Sequence, residues 1–207
     1  MDSNKQRVII YLMNKNDRTT EQNVVLAVKD YCKMQGISIG SDDELEILRS
    51  QTGKPYFSRL NDVYFSVSHS GDYFVCAVSD FEVGLDIQEH TRGKGESVDE
   101  AKVRFSKLAH RFFSAKEAEY VDGERYLRFF EVWSARESYV KYTGQGIDKY
   151  FSEHCTVPEG FIFDEGDSVK KWSAMDSYFA TSVIDEKYTW CVCGEKEIDV
   201  ELRNFNV

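Results

Sequence analysis

Residues 84–88 (Gly-Leu-Asp-Ile-Gln) place two oxygen-bearing side chains where a metal ion could bind. On a β-strand, side chains two residues apart share a face, so Asp86 and Gln88 would project together. The apolar Leu85 and Ile87 would then face the opposite side. Asp is disfavoured inside strands, so we expect Asp86 to have a compensating partner.

A second segment, Trp-Ser-Ala-Arg-Glu-Ser-Tyr-Val-Lys, could supply a further acid and a base. Trp133, Glu137 and Lys141 recur at i, i+4 and i+8, which on a helix forms one gently drifting stripe. The carboxylates of Asp86 and Glu137, with the amide oxygen of Gln88, suit an oxygen-preferring cation such as Mg²⁺. The nearby ammonium suits phosphate oxygens.

The elements that must position these residues occur twice. Each copy has a helical stretch and a pattern that indicates a strand, a turn and a hairpin. The helical stretches are 21–34 and 128–142, and the strand patterns cover 64–87 and 178–202. Two copies are too few for a solenoid, so the duplication favours an α+β fold of two similar halves packed face to face.

The predicted boundary between the halves lies in the polar, Gly-containing stretch 91–98. We therefore divide the chain into an N-terminal half, 1–92, and a C-terminal half, 93–207. A site between them would take Asp86 from the first half and Glu137 from the second, and such interfaces are common ligand sites.

Composition excludes several classes of protein. The 207 residues are 42% apolar and 14% aromatic, enough to bury a substantial core. A net charge of -10 argues against nucleic-acid binding, which needs a concentrated positive surface. No segment is long enough to span a bilayer, and the apolar run 8–13 is closer to a first strand than to a secretory signal. The five cysteines lack a zinc spacing, which favours reduced thiols and a cytoplasmic location.

Five motifs in order give the chain a resemblance to a known family. They occupy residues 53–57, 65–71, 84–88, 112–117 and 133–141. Their order and approximate spacing resemble those of the 4'-phosphopantetheinyl transferases of the surfactin-synthetase-activating (Sfp) type. One such motif would be weak evidence, whereas five in order are hard to obtain by chance.

The resemblance implies a fold, an activity and partners. The fold would be a pseudo-twofold pair of α+β halves, each a small sheet packed against a long helix. The activity would be transfer of the phosphopantetheine arm of coenzyme A to a serine of an apo acyl, peptidyl or aryl carrier protein, with Mg²⁺ required and 3',5'-ADP released. Fatty acid, polyketide and nonribosomal peptide synthesis are the pathways implied. Two halves in one chain favour a monomer.

The resemblance also implies roles for individual residues. Asp86, Gln88 and Glu137 would hold Mg²⁺, and Lys141 would bind phosphate, so that Asp86, Glu137 and Lys141 belong to the catalytic set. Glu117 would complete that set as a metal ligand or as the base that takes the proton from the carrier serine, a metal-bound water being the other candidate acceptor. Further coenzyme A contacts would come from Arg49, Lys54, Ser68 and His69.

Several of these residues have simpler structural explanations. Glu117 lies three residues after Ser114 at the start of a helical run, which is a capping box worth about 1 kcal/mol. Glu137 and Lys141 can form an i,i+4 helix pair worth about 0.2 to 0.5 kcal/mol. Lys54 in Gly-Lys-Pro is typical of a turn, although its family counterpart binds the nucleotide 3'-phosphate.

A basic stretch at 101–111 is a candidate docking surface, since it holds four cationic residues and no acid. Arg104, Lys107 and Arg111 share a helical face. Carrier proteins of the implied kind are acidic, so we expect them to dock on this face. A solvated helix face is the alternative interpretation.

Two departures from the family pattern leave other functions open. Many Sfp-type members have an acid where this chain has Gln88, and their basic segment before the first long helix is here reduced to Lys15 and Arg18. Nucleotide binding would then be weaker or would rely on Arg49 and Lys54. The alternatives are an attenuated relative that binds coenzyme A or a carrier without efficient transfer and, more distantly, a generic Mg²⁺-dependent phosphohydrolase.

Overall fold

A computed structural model describes residues 5–15, 17–122, 126–146, 154–158 and 169–205. The strands are β1 Lys5–Asn14, β2 Ile47–Arg49, β3 Pro55–Phe57, β4 Tyr64–Ser70, β5 Tyr73–Ser79, β6 Val83–Glu89, β7 Lys170–Ala174, β8 Ser177–Ile184, β9 Tyr188–Gly194 and β10 Glu197–Asn204. The helices are α1 Thr20–Gln35, α2 Val98–Phe112, α3 Ala115–Val121 and α4 Arg128–Thr143, with a short 3₁₀ helix at Asp42–Leu45. The predicted α+β class is confirmed.

The two long helices lie where the sequence predicted them, and local signals set their ends. At the start of α1, the Thr19 side chain accepts from the backbone N–H of Gln22, whose own side chain bonds back to Thr19. The helix ends at Gly36, whose φ of 70° is left-handed. Helix α4 ends in the same way at Gly144, with φ of 69°.

Two four-stranded sheets exchange strands. The first sheet has the order β10-β1-β5-β4, and the second has the order β6-β9-β8-β7, with β2 and β3 forming a separate pair. Strand β6 follows the β4–β5 hairpin but pairs with β9, and β10 follows the β8–β9 hairpin but pairs with β1. Strands therefore pair across the division proposed near residue 92, and that division stays a prediction.

The chain packs as four layers because β1 alternates between two cores. Its odd positions, Ile9, Tyr11 and Met13, pack with the buried face of α1. Its even positions, Val8, Ile10 and Leu12, pack with the second sheet. Helix α4 covers the other face of that sheet, where Ala135 meets Cys191 and Cys193. The layer order is thus α1, first sheet, second sheet, α4.

All five cysteines are free thiols, and four of them are buried. Burial raises the pKa of the Cys191 thiol to about 12, so this group stays protonated at neutral pH. These side chains act as small apolar groups in the core. No helix in the described part of the chain combines the length and apolar character needed to cross a bilayer.

Candidate active site

Gly84 allows helix α4 to lie directly on strand β6. A Cβ atom at this position would lie 1.9 Å from the carbonyl oxygen of Ser138 and 2.4 Å from the backbone nitrogen of Tyr142. Both distances are far shorter than van der Waals contact, so the packing requires glycine. Asp86 is two residues further along β6 and projects from the same face of the strand. The close approach of the backbones therefore brings the Asp86 carboxylate to the helix.

Three side chains hold the buried Asp86 carboxylate, of which 3% is exposed. Lys141 of α4 donates to Oδ1 at 2.7 Å, and the Ser68 hydroxyl donates to the same oxygen at 2.8 Å. Gln88 donates its amide Nε2–H to Oδ2 at 2.9 Å, which confirms that residues 86 and 88 share a face. These contacts stabilise the negative charge of Asp86 inside a strand, and such a partner was expected from the sequence.

Glu137 is a second, half-buried acid on α4, one turn before Lys141. Burial and then the negative charge of Asp86 raise its pKa, while the positive charge of Lys141 opposes the shift. The two carboxylates are therefore close enough to repel each other. A cation bound to both would remove this repulsion.

The donor chemistry of this site fits Mg²⁺. In the described part of the chain, no group of three or more His, Cys, Asp or Glu side chains could hold a metal by itself. Mg²⁺ does not need one, because it is commonly bound by one or two carboxylates together with substrate phosphates and water. Asp86 and Glu137 would be those carboxylates. Gln88 can add its amide oxygen only if the amide gives up its present bond to Asp86.

A cavity of about 280 Å³ brings together three of the cations assigned to coenzyme A. Arg49, Lys54 and Lys141 all line it, although they come from the β2–β3 region and from α4. Lys141 thus contacts both the cavity and Asp86. The arrangement offers positive charge to an anionic ligand beside the two carboxylates.

Ser68 and His69 lie elsewhere in the site. Ser68 is buried and uses its hydroxyl for Asp86, whereas His69 is exposed near the end of β4. Neither is among the described residues that line the cavity. Ser68 belongs instead to an alternating row on β4, in which Ser66 and Ser70 accept from the backbone N–H groups of β6 residues at 2.9 Å. The row joins the edges of the two sheets.

The Lys54 ammonium is bound by two other residues of this chain. Its ammonium lies 2.5 Å from a carboxylate oxygen of Glu82 and donates to the carbonyl oxygen of Tyr142 at 2.6 Å. Only 17% of the Lys54 side chain is exposed. Lys54 therefore lines the cavity while its ammonium is already paired with the negative charge of Glu82.

Glu117 lies in a fully buried ion pair with Arg136 of α4. Their side chains are 0% and 1% exposed, and Arg136 Nε lies 3.2 and 3.1 Å from the two Glu117 oxygens. Thr156 donates to Oε1 through its backbone N–H at 2.8 Å and its hydroxyl at 2.9 Å. Ser114 donates to Oε2 through its hydroxyl at 2.7 Å, and the predicted capping box is present.

Glu117 and Asp86 are therefore not brought together by hydrogen bonds. In the part of the chain that the structure describes, no such bond joins Glu117 to Asp86, Glu137 or Lys141. Both Glu117 oxygens already accept hydrogen bonds. The structure gives this residue the contacts of a buried anchor between α3, α4 and the segment around Thr156.

The basic face on α2 is divided by an internal ion pair. Arg104 donates two hydrogen bonds to Glu96, at 2.7 and 2.9 Å, and this contact lowers the pKa of Glu96 to about 2. Lys107 and Arg111 are exposed, and neither forms an ion pair with another described residue. The exposed Val103 lies beside them in a shallow groove.

Glu82, Arg136 and Thr156 are partners of candidate site residues that were not predicted from the sequence. Arg136 could have been identified from the sequence, because it is a charged residue inside the motif at 133–141 and next to the apolar Ala135. The row of serines on β4 could also have been identified, since a polar residue at every second position of a strand indicates one polar face. Glu82 and Thr156 contact their partners only through the tertiary fold, so nothing in their local sequence identified them.

Comparison with known proteins connects this geometry to a family. The model of the 4'-phosphopantetheinyl transferase superfamily matches residues 82–193, more than half of the chain, and this range includes β6 and α4. The chain is 38% identical to 4'-phosphopantetheinyl transferase psf-1 of Bacillus pumilus over 155 residues, which are 72% of this chain and 60% of that protein.

Two further relatives come from Bacillus subtilis. A 4'-phosphopantetheinyl transferase of that species is 36% identical over 95 residues, 46% of this chain and 39% of the relative. The transferase Sfp of strain 168 is 32% identical over 104 residues, 50% of this chain and 43% of Sfp. The chain thus spans about two fifths to three fifths of the length of these relatives. By the family match, and as its ordered motifs predicted, the chain belongs to the 4'-phosphopantetheinyl transferase superfamily and resembles its Sfp type.

Proposed function

We propose that this chain transfers the 4'-phosphopantetheine arm of coenzyme A to a serine of an apo carrier protein, in a Mg²⁺-dependent reaction that releases 3',5'-ADP. The observation that carries the proposal is the contact of Asp86 with Lys141, with Glu137 beside them on α4. It combines two carboxylates for a metal with a cation for phosphate. The named relatives are transferases of the same arm, which supports this choice of chemistry.

The reaction moves the phosphopantetheinyl group, through its phosphorus, from one oxygen to another. The serine oxygen forms a bond to the β-phosphorus of coenzyme A, and the bond from that phosphorus to the bridging oxygen breaks, so negative charge grows on the leaving 3',5'-ADP. Asp86 and Glu137 would hold Mg²⁺, which would supply positive charge for the pyrophosphate. Lys141 would add a second cation there.

The cavity between α1, the β2–β3 region and α4 is the proposed coenzyme A site. Arg49 and Lys54 line it at a distance along the chain from Lys141, so three separate cations can meet the several phosphate groups of one ligand. Ser68 is proposed to act on the metal through Asp86, since its hydroxyl is bound to that carboxylate. His69 keeps its family role as a phosphate contact in the proposal, supported by its exposed position next to Ser68.

We assign Glu117 a positioning role and not the role of proton acceptor. Its carboxylate is inaccessible to solvent and carries a full set of donors from Arg136, Thr156 and Ser114. A base must reach the serine hydroxyl to about hydrogen-bond distance. The serine proton is therefore assigned to solvent in the active-site cleft.

The partner is proposed to be an acidic acyl or peptidyl carrier protein that docks on α2. Lys107 and Arg111 supply exposed positive charge, and Val103 supplies an exposed apolar contact at 56% exposure. Arg104 contributes less than the sequence suggested, because Glu96 already neutralises it. A reducing, cytoplasmic setting agrees with the five free thiols. A monomer is proposed because two similar halves are predicted in one chain.

An attenuated relative is the second candidate function. The observation in its favour is the ion pair between Lys54 and Glu82, which places a negative charge at the proposed phosphate site. Such a protein would bind coenzyme A or a carrier without efficient transfer.

The mass of an apo carrier protein, measured after incubation with the chain, coenzyme A and Mg²⁺, separates these functions. Transfer adds one phosphopantetheine arm, and 3',5'-ADP appears in equal amount. Binding of coenzyme A with no change in carrier mass would favour the attenuated relative. Release of phosphate from nucleotides without a carrier would indicate a phosphohydrolase and contradict the proposal.

A further inference from the structure

Lys54 is a cation of the proposed coenzyme A site, and two of its three N–H donors are already in use. An ammonium has three N–H donors. One lies on the Glu82 carboxylate at 2.5 Å and another on the Tyr142 carbonyl oxygen at 2.6 Å. A phosphate that approaches Lys54 therefore finds one free N–H and an adjacent negative charge.

The position of Glu82 places that charge beside the ligand site. Lys54 lines both the cavity of about 280 Å³ and a neighbouring cleft of about 1140 Å³, and Glu82 lines the larger cleft. Arg49 lines both spaces as well. The ion pair thus lies where the two spaces meet, and not on a remote surface.

The two partners differ in how readily they can separate. The Glu82 side chain is 46% exposed, whereas the Lys54 side chain is 17% exposed. Water can solvate a half-exposed carboxylate once it leaves its partner, so ion pairs of this kind contribute little stability. Lys54 keeps its bond to the Tyr142 carbonyl if Glu82 moves away. The 3'-phosphate of coenzyme A, which as a monoester has more charge and more acceptor oxygens than a carboxylate, can then take the place of Glu82, and a pyrophosphate group can do so with a charge equal to that of the carboxylate.

We propose that Glu82 competes with a phosphate group of the incoming ligand for Lys54 and thereby weakens ligand binding. This inference rests on the proposed function, because it takes coenzyme A as the ligand. Glu82 contacts no reacting atom in this scheme. It acts as an affinity-setting residue through Lys54.

The test is calorimetric titration of the full chain with coenzyme A, without Mg²⁺ or carrier protein. Glu82→Gln keeps the size of the side chain and removes its charge, so the dissociation constant should fall by about two- to five-fold. Glu197→Gln is the matched control, because Glu197 forms a half-exposed ion pair with Lys5 on the first sheet. We expect it to bind like the wild type. In a Lys54→Gln background, the gain from Glu82→Gln should disappear.

Dephospho-coenzyme A identifies which phosphate group competes. If Glu82 competes with the 3'-phosphate, the gain is lost with this ligand, which lacks that group. If it competes with the pyrophosphate, the gain is retained. Thermal melting of each variant checks that the fold is intact.

Equal or weaker binding by Glu82→Gln, with an unchanged melting temperature, would overturn the inference and leave the ion pair as a structural link. In that case, wild-type binding of coenzyme A would still support the proposed function. Failure of both the wild type and the variant to bind coenzyme A would count against the proposed function itself. Binding by the variant alone would support strong competition by Glu82.

Discussion

Lys141 on α4 donates to Asp86 on β6 at 2.7 Å, and this contact joins residues 55 positions apart. It exists because Gly84 lets the helix rest on the strand. One end of the Lys141 side chain is thus fixed by the acid while the same residue lines the cavity. The relation ties the proposed metal site to the proposed phosphate site.

Gly84→Ala should destabilise the chain strongly. The new methyl group would meet backbone atoms of α4, which can move only if the helix moves, so we expect a loss of about 3 kcal/mol or more in the free energy of unfolding. Urea denaturation measures this loss. Gly93→Ala is the control, because its Cβ would make ordinary contacts of 3.5 Å with Glu96. Equal stability of the two variants would contradict the close packing of β6 and α4.

Glu137 should make the folded chain less stable as pH rises. Its pKa is raised by folding, so the folded state binds the proton more tightly than the unfolded state does. Stability is then lost as pH increases from the ordinary value of 4.5 through the raised value. Glu137→Gln should melt at a higher temperature than the wild type at pH 7, and this difference should vanish below about pH 4.5.

The effect of Mg²⁺ on the melting temperature is a second test of Glu137. A cation that binds Asp86 and Glu137 stabilises the folded state, so Mg²⁺ should raise the melting temperature of the wild type more than that of Glu137→Gln. Equal shifts in the two proteins would place Glu137 outside the metal site.

Glu117→Gln should mainly lower the free energy of unfolding, and should affect the transfer reaction only through this loss of stability. It leaves Arg136 charged and buried without its carboxylate, a change that costs about 3 to 5 kcal/mol. Glu119→Gln, an exposed change on the same helix, should have little effect. Denaturation compares the two. A Glu117→Gln protein with wild-type stability but no transfer activity would instead support Glu117 as the base.

The exposed cations of α2 should govern carrier binding. Lys107→Glu with Arg111→Glu should raise KM for an acidic carrier and leave KM for coenzyme A nearly unchanged. Because exposed charges are screened by salt, the wild-type carrier KM should rise with ionic strength, and that of the variant should rise less. Lys187→Glu, a change at an exposed turn, is the control. Parallel salt curves with equal carrier KM would show that α2 is only a solvated face.

The sequence predicted those parts of the fold that depend on local patterns. The alternation of residues 84–88 placed Asp86 and Gln88 on one face, and the spacing of Glu137 and Lys141 placed them on one helix. Ser68 was expected to contact coenzyme A, whereas its hydroxyl donates to the Asp86 carboxylate, 18 residues away along the chain.

The exchange of strands between sheets could not be predicted in this way. Both β6 and β10 have apolar alternation that suits either sheet, so only the tertiary packing selects the partner. The pairs Glu117–Arg136 and Lys54–Glu82 have the same origin, since each joins elements that are separated along the chain. Long-range ion pairs determine whether the charge of a candidate site residue is available to a ligand, and no local sequence pattern predicts these pairs.

Transfer rates of the Asp86→Asn and Glu137→Gln variants and of the double variant test the central claim most directly. Each rate is measured as gain of the phosphopantetheine arm by an apo carrier protein, with Asp199→Asn as an exposed control. Because the two carboxylates are proposed to hold one Mg²⁺, each single change should lower the rate by about 10²-fold, and the double change should cost little more than either alone. Wild-type activity in either single variant, or losses that multiply in the double variant, would contradict the account.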